Sequence, residues 1–355
     1  MKCKMASSSR VVAAAAVLVA FCAAALSSAT VTVNEPIVNG LSWSFYDASC
    51  PSVEGIVRWH VADALRRDIG IAAGLIRIFF HDCFPQGCDA SVLLSGSNSE
   101  QKQGPNQTLR PEALKLIDDI RAAVHAACGP KVSCADITTL ATRDAVVASG
   151  GPFFEVPLGR RDGLSPASSD QVFTLPGPDF DVPTLLAAFK NRSLDTADLV
   201  ALSGAHTVGR GHCSSFTSRL PPNADDGTMD PAFRRTLAAK CAKDASAAQV
   251  LDVRTPNAFD NKYYFDLIAK QGLFKSDQGL INDQTTKRAA TRFALNQAAF
   301  FDQFARSMVK MSQMDVLTGN AGEVRLNCAV RNAARVVSAD QLETAAGDEG
   351  LAADA

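Results

Sequence analysis

Arg77-Ile78-Phe79-Phe80-His81-Asp82-Cys83-Phe84 is the stretch from which the fold of this chain is read. Arg77 and His81 are four residues apart, so on a helix they share one face, about 5–6 Å apart at Cβ. A permanent cation then stands beside a titratable base, with Phe80 alongside. That pairing suits a site that removes a proton from one oxygen while charge grows on its neighbour. Pairs at this spacing more often lie on a helix surface. Here Leu75, Ile76, Ile78, Phe79 and Phe80 make the helix largely apolar, and a buried arginine needs a partner or a task.

Asp82 and Cys83 point away from that face, and the chain runs on through Gly87-Cys88-Asp89-Ala90-Ser91. Two carboxylates, a hydroxyl and local carbonyls in so short a span suggest an oxygen-ligand site for a calcium-like cation.

With 355 residues, 47% of them hydrophobic, the chain can bury a large core in one domain or two lobes. A net charge of -2 gives no footing for nucleic acid. Residues 1–29 read as a secretory leader: Lys2, Lys4 and Arg10, an Ala-rich apolar run over 11–26, then Ser27-Ser28-Ala29. The run is short for a membrane anchor, and no later stretch reaches spanning length. Removing the leader takes Cys3 and Cys22 and leaves eight of the 10 cysteines, an even number that implies four disulfides. Spacing alone leaves their connectivity open and suggests only Cys83–Cys88 locally. There is no Cys-x-x-Cys and no His-Glu-x-x-His, which argues against zinc and dithiol chemistry. Two sequons occur, at Asn106-Gln107-Thr108 and Asn191-Arg192-Ser193.

Apolar residues recur at three- and four-residue spacing over 53–68, 72–84, 111–127, 133–149, 181–190, 195–203, 230–241, 261–270 and 285–313. Pro111 opens one helix and Gly129-Pro130 ends it. Strand signals are sparse, so the expectation is an all-α protein. The loop over 159–179, rich in Pro, Ser and Gly, divides two lobes. Residues 338–355 are small and acidic, with Asp340, Glu343, Asp348, Glu349 and Asp354, and read as a disordered extension or sorting propeptide. The folded domain is expected over 30–337.

A second constellation begins at Ala201-Leu202-Ser203-Gly204-Ala205-His206-Thr207-Val208-Gly209. Small neighbours let a flat ligand approach His206, although a histidine so placed is more often an ordinary core residue. Of the 5 histidines, His60 and His125 read as surface residues and His212 has no evident partner. Leu251-Asp252-Val253-Arg254-Thr255-Pro256-Asn257-Ala258-Phe259-Asp260 repeats the oxygen-ligand pattern. Asp252, Thr255, Asp260 and the Ala258 carbonyl could hold a second hard cation, with Thr207 in reach. Asp277, in Phe274-Lys275-Ser276-Asp277-Gln278, could accept the Nδ1 proton of His206 and strengthen its other nitrogen as a donor.

Together these segments resemble the secretory plant haem peroxidases of class III over roughly residues 41–331. Val156-Pro157-Leu158-Gly159-Arg160-Arg161-Asp162 carries the resemblance between the two constellations. It implies a two-lobed helical fold with haem b between distal and proximal lobes. It also implies four bridges, Cys50–Cys128, Cys83–Cys88, Cys134–Cys328 and Cys213–Cys241. By residue, it implies His81 as distal base, Arg77 as distal cation, Phe80 as the iron's shield and Asn106 as acceptor for the His81 Nδ1 proton. His206 becomes the iron ligand, with Asp277 behind it. Two calcium ions are implied. The distal one falls to Asp82, Pro85, Gly87, Asp89 and Ser91, with Glu100 nearby. The proximal one falls to Thr207, Asp252, Thr255, Ala258 and Asp260. Pro176 matches the position whose carbonyl meets aromatic donors.

The implied activity is reduction of hydrogen peroxide with one-electron oxidation of phenolic donors, in a secreted, monomeric glycoprotein of the wall or vacuole. A glycan is not expected on Asn106, since an amide in a buried network cannot carry one. Departures from the pattern are Pro85 for Val, Phe154 for Trp, Leu251 for an aromatic, and the irregular Gln101-Lys102-Gln103-Gly104. Ascorbate peroxidases share both histidines but lack the leader and bridges. A calcium-dependent phospholipase would carry paired cysteines before its histidine. A wall protein that binds haem or calcium without turnover would have lost Arg77, His81 or His206, and all three are present.

Overall fold

The computed structural model describes residues 30–31, 35–223 and 227–333. The expected leader (1–29) and acidic tail (338–355) lie outside these residues. Four helices make the first lobe: α1 (Val53–Arg67), α2 (Ile71–Gln86), α3 (Pro111–Cys128) and α4 (Cys134–Ala148). The aliphatic stripes drive this packing: α4 lies against α1 and α2, and α3 against α1 and α2. Ser133 starts α4 by accepting the Asp136 amide on its Oγ at 3.1 Å. Pro111 fills the first position of α3, and Gly129, at φ 68°, closes it.

The connection over 159–179 is a loop as expected, interrupted by one short helix, α5 (Ser169–Val172). The second lobe holds α6 (Val182–Lys190), α7 (Thr196–Ser203), α8 (Pro231–Lys243), α9 (Lys262–Ile268), α10 (Lys275–Asn282), α11 (Gln284–Leu295) and α12 (Gln297–Met311). Here α7 packs on α11 and α12, and α11 packs on α9 and α10. Helix α10 was not foreseen. The single helix expected over 285–313 is two, because Asn296 is extended (φ -145°, ψ 94°) and its side chain caps α12 at the Ala299 amide.

Strands are few and short. β1 (Thr30–Val31) pairs in parallel with β2 (Phe153–Phe154). β3 (Arg210–His212) pairs antiparallel with β4 (Ala248–Val250), Gly211 opposite Gln249. The second pair matters, since it joins the chain after His206 to the chain before Asp252. The bond from the Leu251 amide to the Gly209 carbonyl (3.1 Å) extends that link.

One apolar core spans both lobes, and a smaller cluster gathers Phe216, Leu220, Met229, Leu237, Leu251 and Leu273 beside the Cys213–Cys241 bridge. All four bridges have the pairing the resemblance implied. The Val156–Asp162 motif is internal scaffolding. Asp136 accepts from Tyr46 Oη at 2.7 Å, the Gly159 amide at 2.8 Å and Arg160 Nη1 at 2.8 Å. Asp162 accepts from the amides of Ala135 (2.9 Å) and Arg325 (2.8 Å). Arg325 in turn donates to the carbonyls of Ala90 (2.7 Å) and Asp89 (3.2 Å). The C-terminal segment is thereby tied to the loop after α2.

Candidate active site

Helix α2 presents Arg77 and His81 on one face, as their spacing requires. Arg77 Nε donates to His81 Nε2 at 3.3 Å, while its two terminal nitrogens donate to the carbonyls of Thr108 (2.8 Å) and Pro105 (2.9 Å). These carbonyl anchors are invisible in a sequence, because a backbone oxygen has no residue type. On its other side, His81 Nδ1–H donates to Asn106 Oδ1 at 2.6 Å, and the Asn106 amide nitrogen donates to the Glu100 carbonyl at 2.9 Å. That second bond orients the amide, which places the imidazole proton on Nδ1 and leaves Nε2 an acceptor. Burial, then the Arg77 charge, push the His81 pKa down to about 3, against the hydrogen bond to Asn106. The ring is therefore a neutral base. Phe80 stands edge-on to it, with ring centroids 5.5 Å apart.

The second histidine lies on a short 3-10 turn (Gly204–Thr207) that continues α7. Gly204 is required there, because a Cβ would come within 2.7 Å of the Phe300 ring and also strike Tyr264. His206 Nδ1–H donates to Asp277 Oδ1 at 2.6 Å. The same oxygen accepts the Tyr263 hydroxyl at 2.9 Å, and Asp277 Oδ2 accepts the Phe274 amide at 2.9 Å. Asp277 sits in the first turn of α10, where the helix dipole favours a carboxylate. Phe274 also stands edge-on to His206, with centroids 5.5 Å apart. Leu251 packs in the smaller core cluster. Downstream, Gly209 (φ +103°) lies against α2, where a Cβ would come within 2.9 Å of Ala73. The segment after the second histidine therefore touches the helix that carries the first.

The distal oxygen set is brought together. Asp82 accepts from the amides of Ala90 (2.9 Å) and Val92 (3.3 Å), and Asp89 accepts from the Ser91 amide (3.0 Å). Gly87, at φ +115°, makes the turn that other residues would strain. Glu100 is buried, with one oxygen on the Ala167 amide at 2.7 Å. Its other oxygen and the Ser91 hydroxyl have no hydrogen-bond partner. Burial raises the pKa values of Asp82, Asp89 and Glu100, and the Asp89 charge adds to the rise at Asp82. Buried carboxylates so close together are stabilised by a bound cation. The Pro85 carbonyl accepts from Arg192 at 2.6 Å, a partner that the spacing could not reveal.

The proximal set converges as well. Thr207 Oγ1 donates to Asp252 at 2.9 Å and lies 3.3 Å from the Ala258 carbonyl and 3.4 Å from Asp260. Thr255 Oγ1 donates to Asp260 at 3.0 Å. Among the described residues no three His, Cys, Asp or Glu side chains gather as metal ligands. Both sets instead mix carboxylates with hydroxyls and carbonyls, the donor chemistry of calcium rather than zinc.

Pro176 is half-buried in the loop before α6. Asn191, of the second sequon, is exposed at the end of α6. His212 Nδ1 lies 3.3 Å from the Ser246 carbonyl, and His60 and His125 are half-buried rather than fully exposed. The surface hollows along α11 and beside Trp59 share no residue with either histidine site.

Two helical lobes, four bridges and two histidines with opposite kinds of Nδ1 partner define a peroxidase of the plant type. The sequence matches the peroxidase family over residues 57–296. It is 54% identical over 305 residues to Cationic peroxidase SPC4 of Sorghum bicolor, covering 84% of each chain. It is 53% identical over 304 residues to Peroxidase 12 of Arabidopsis thaliana, covering 84% of this chain and 85% of the relative. With Peroxidase 42 of Zea mays it shares 45% over 289 residues, covering 81% and 89%. The chain belongs to the peroxidase family, with the class III plant enzymes, and is a haem peroxidase.

Proposed function

We propose that the chain is an exported peroxidase that reduces hydrogen peroxide at a haem b held between His81 and His206, and that oxidises phenolic donors one electron at a time. The observation that carries this reading is the pair of 2.6 Å histidine bonds, one to an amide and one to a carboxylate. An amide oxygen leaves His81 a free neutral base, whereas a carboxylate makes His206 a strong electron donor. His206 would ligate the iron through Nε2, with Asp277 behind it. When bound, the haem supplies the oxidising chemistry, and the protein supplies ligation, polarity and access.

The protein's own steps follow from the distal geometry. His81 Nε2 accepts a proton from one peroxide oxygen and delivers it to the other. Arg77 turns from His81 toward the charge that develops as the O–O bond parts, a contribution of about 3–4 kcal/mol. Asn106 holds the ring in the tautomer that can accept, and Phe80 walls the site. Pro176 offers its carbonyl to donors at the entrance. Asp82, Pro85, Gly87, Asp89, Ser91 and Glu100 serve the distal calcium; Thr207, Asp252, Thr255, Ala258 and Asp260 serve the proximal one. The folded domain covers 30–337, the leader 1–29 directs export, and the acidic tail 338–355 is compatible with either wall or vacuole. Among the described residues no helix is long and apolar enough to cross a membrane.

The test is the optical spectrum of calcium-loaded, haem-reconstituted protein before and after one equivalent of hydrogen peroxide, in wild type and His81→Ala. Rapid conversion in wild type, slowed roughly 10²–10⁴-fold in the variant, is the expected result. Equal rates would remove His81 from the reaction. Failure of folded protein to take up haem would return His206 to the core.

A further inference from the structure

Asp277 is bonded on both oxygens, and one oxygen is shared. Its Oδ1 accepts from His206 Nδ1 at 2.6 Å and from the Tyr263 hydroxyl at 2.9 Å. Two donors on one oxygen compete for the same negative charge. We infer that Tyr263 is a positioning residue of the proximal site: by sharing Asp277 Oδ1 it fixes the carboxylate and weakens the hydrogen bond that the same oxygen accepts from His206. This rests on the reading of His206 as the iron's ligand.

The surroundings leave Tyr263 little alternative. It is 1% exposed, in the first turn of α9. Its ring stands edge-on to His206 (centroids 6.1 Å apart, 85° between planes) and against Tyr264 at 5.1 Å. Tyr264 cannot substitute, because its own hydroxyl donates to the Val200 carbonyl at 2.9 Å. The placement also couples two sites. Asp260, of the proximal calcium set, accepts the Lys262 amide at 2.7 Å and so anchors the start of the helix that carries Tyr263.

Each donor to a carboxylate draws off charge and weakens its pull on the others. With Tyr263 in place the His206–Asp277 hydrogen bond is the weaker for being shared. Without it that bond tightens, the imidazole gains anionic character, and a more anionic ligand would stabilise oxidised iron.

The experiment uses the haem-loaded, calcium-loaded full chain and reads the iron–histidine stretch of the reduced protein by resonance Raman, with the reduction potential alongside. Tyr263→Phe should move the stretch to higher frequency and the potential to more negative values. Difluorotyrosine placed at 263 keeps the hydroxyl but makes it a stronger donor, so both readings should move the opposite way. That variant also serves if the Phe variant fails to fold. In an Asp277→Asn background, Tyr263→Phe should add no further shift. Unmoved readings, shifts of the wrong sign, or a full shift persisting without Asp277 would overturn the role of Tyr263. A stretch that survives His206→Ala would instead overturn the reading of His206 as the iron's ligand, and the role of Tyr263 with it.

Discussion

His81 and His206 make bonds of equal length, 2.6 Å, to different chemistry. The distal ring donates its Nδ1–H to an amide oxygen, which adds no charge. The proximal ring meets a carboxylate that adds a full one. Arg77 completes the distal side, and its loss should be costly: Arg77→Leu is expected to slow the reaction with peroxide by roughly 10²–10³-fold in stopped-flow measurements. Arg77→Lys should recover only part, since a point charge cannot reproduce the guanidinium fork. Asn106 is 1% exposed, and its amide nitrogen donates to the Glu100 carbonyl. We expect peptide mass spectrometry of secreted protein to find Asn106 bare and the glycan on the exposed Asn191. A glycan on Asn106 would be incompatible with its place behind His81.

Among the elements, the segment from His206 to β3 is the most constrained. Thr207 points into the proximal oxygen set, Gly209 lies on α2, and β3 pairs with β4 just before Asp252. Gly209 takes a positive φ of 103° and has no room for a Cβ beside Ala73. Gly209→Ala should therefore cost about 1–3 kcal/mol, visible as a lower midpoint in thermal unfolding together with weaker haem retention. An unchanged midpoint would mean that the backbone relaxes at no cost. The break at Asn296 teaches a related lesson. An apolar stripe runs through 285–313, but a local cap competes with helix continuation and wins where the chain must turn α12 back onto α7.

Across the whole molecule, a buried ion pair ties α4 to the loop over 159–179. Asp136 and Arg160 are both fully buried and bonded to each other. Removing one partner leaves an uncompensated charge, so Asp136→Ala should destabilise by about 3–5 kcal/mol in denaturant unfolding. A double replacement by apolar residues of similar volume should recover only part of that loss, since the Tyr46 hydroxyl and the Gly159 amide would be left unpaired. Calcium at the proposed sites would act on the same scale. A cation that binds only the folded state stabilises it by about 2.7 kcal/mol at one hundred times its dissociation constant. Chelation should lower the unfolding midpoint, and Asp252→Ala should remove a part of the calcium effect that Asp89→Ala leaves. Indifference of the wild type to chelation would count against both cation sites.

Much of this organisation was readable in the chain. The four-residue step from Arg77 to His81, the aliphatic periods of α1 to α4, and the Pro111 start and Gly129 end of α3 are local properties, and local sequence specifies them through side-chain direction and backbone preference. The bridge pairing came from resemblance, because eight similar thiols carry no distance information. Only the tertiary structure decided the rest. The carbonyls of Pro105 and Thr108 on Arg77, Arg192 on the Pro85 carbonyl, and Tyr263 on Asp277 join separate elements of the chain. A partner's atom can be named from sequence only when its residue type announces the role. A backbone oxygen does not, and a tyrosine hydroxyl is informative only once packing has aimed it.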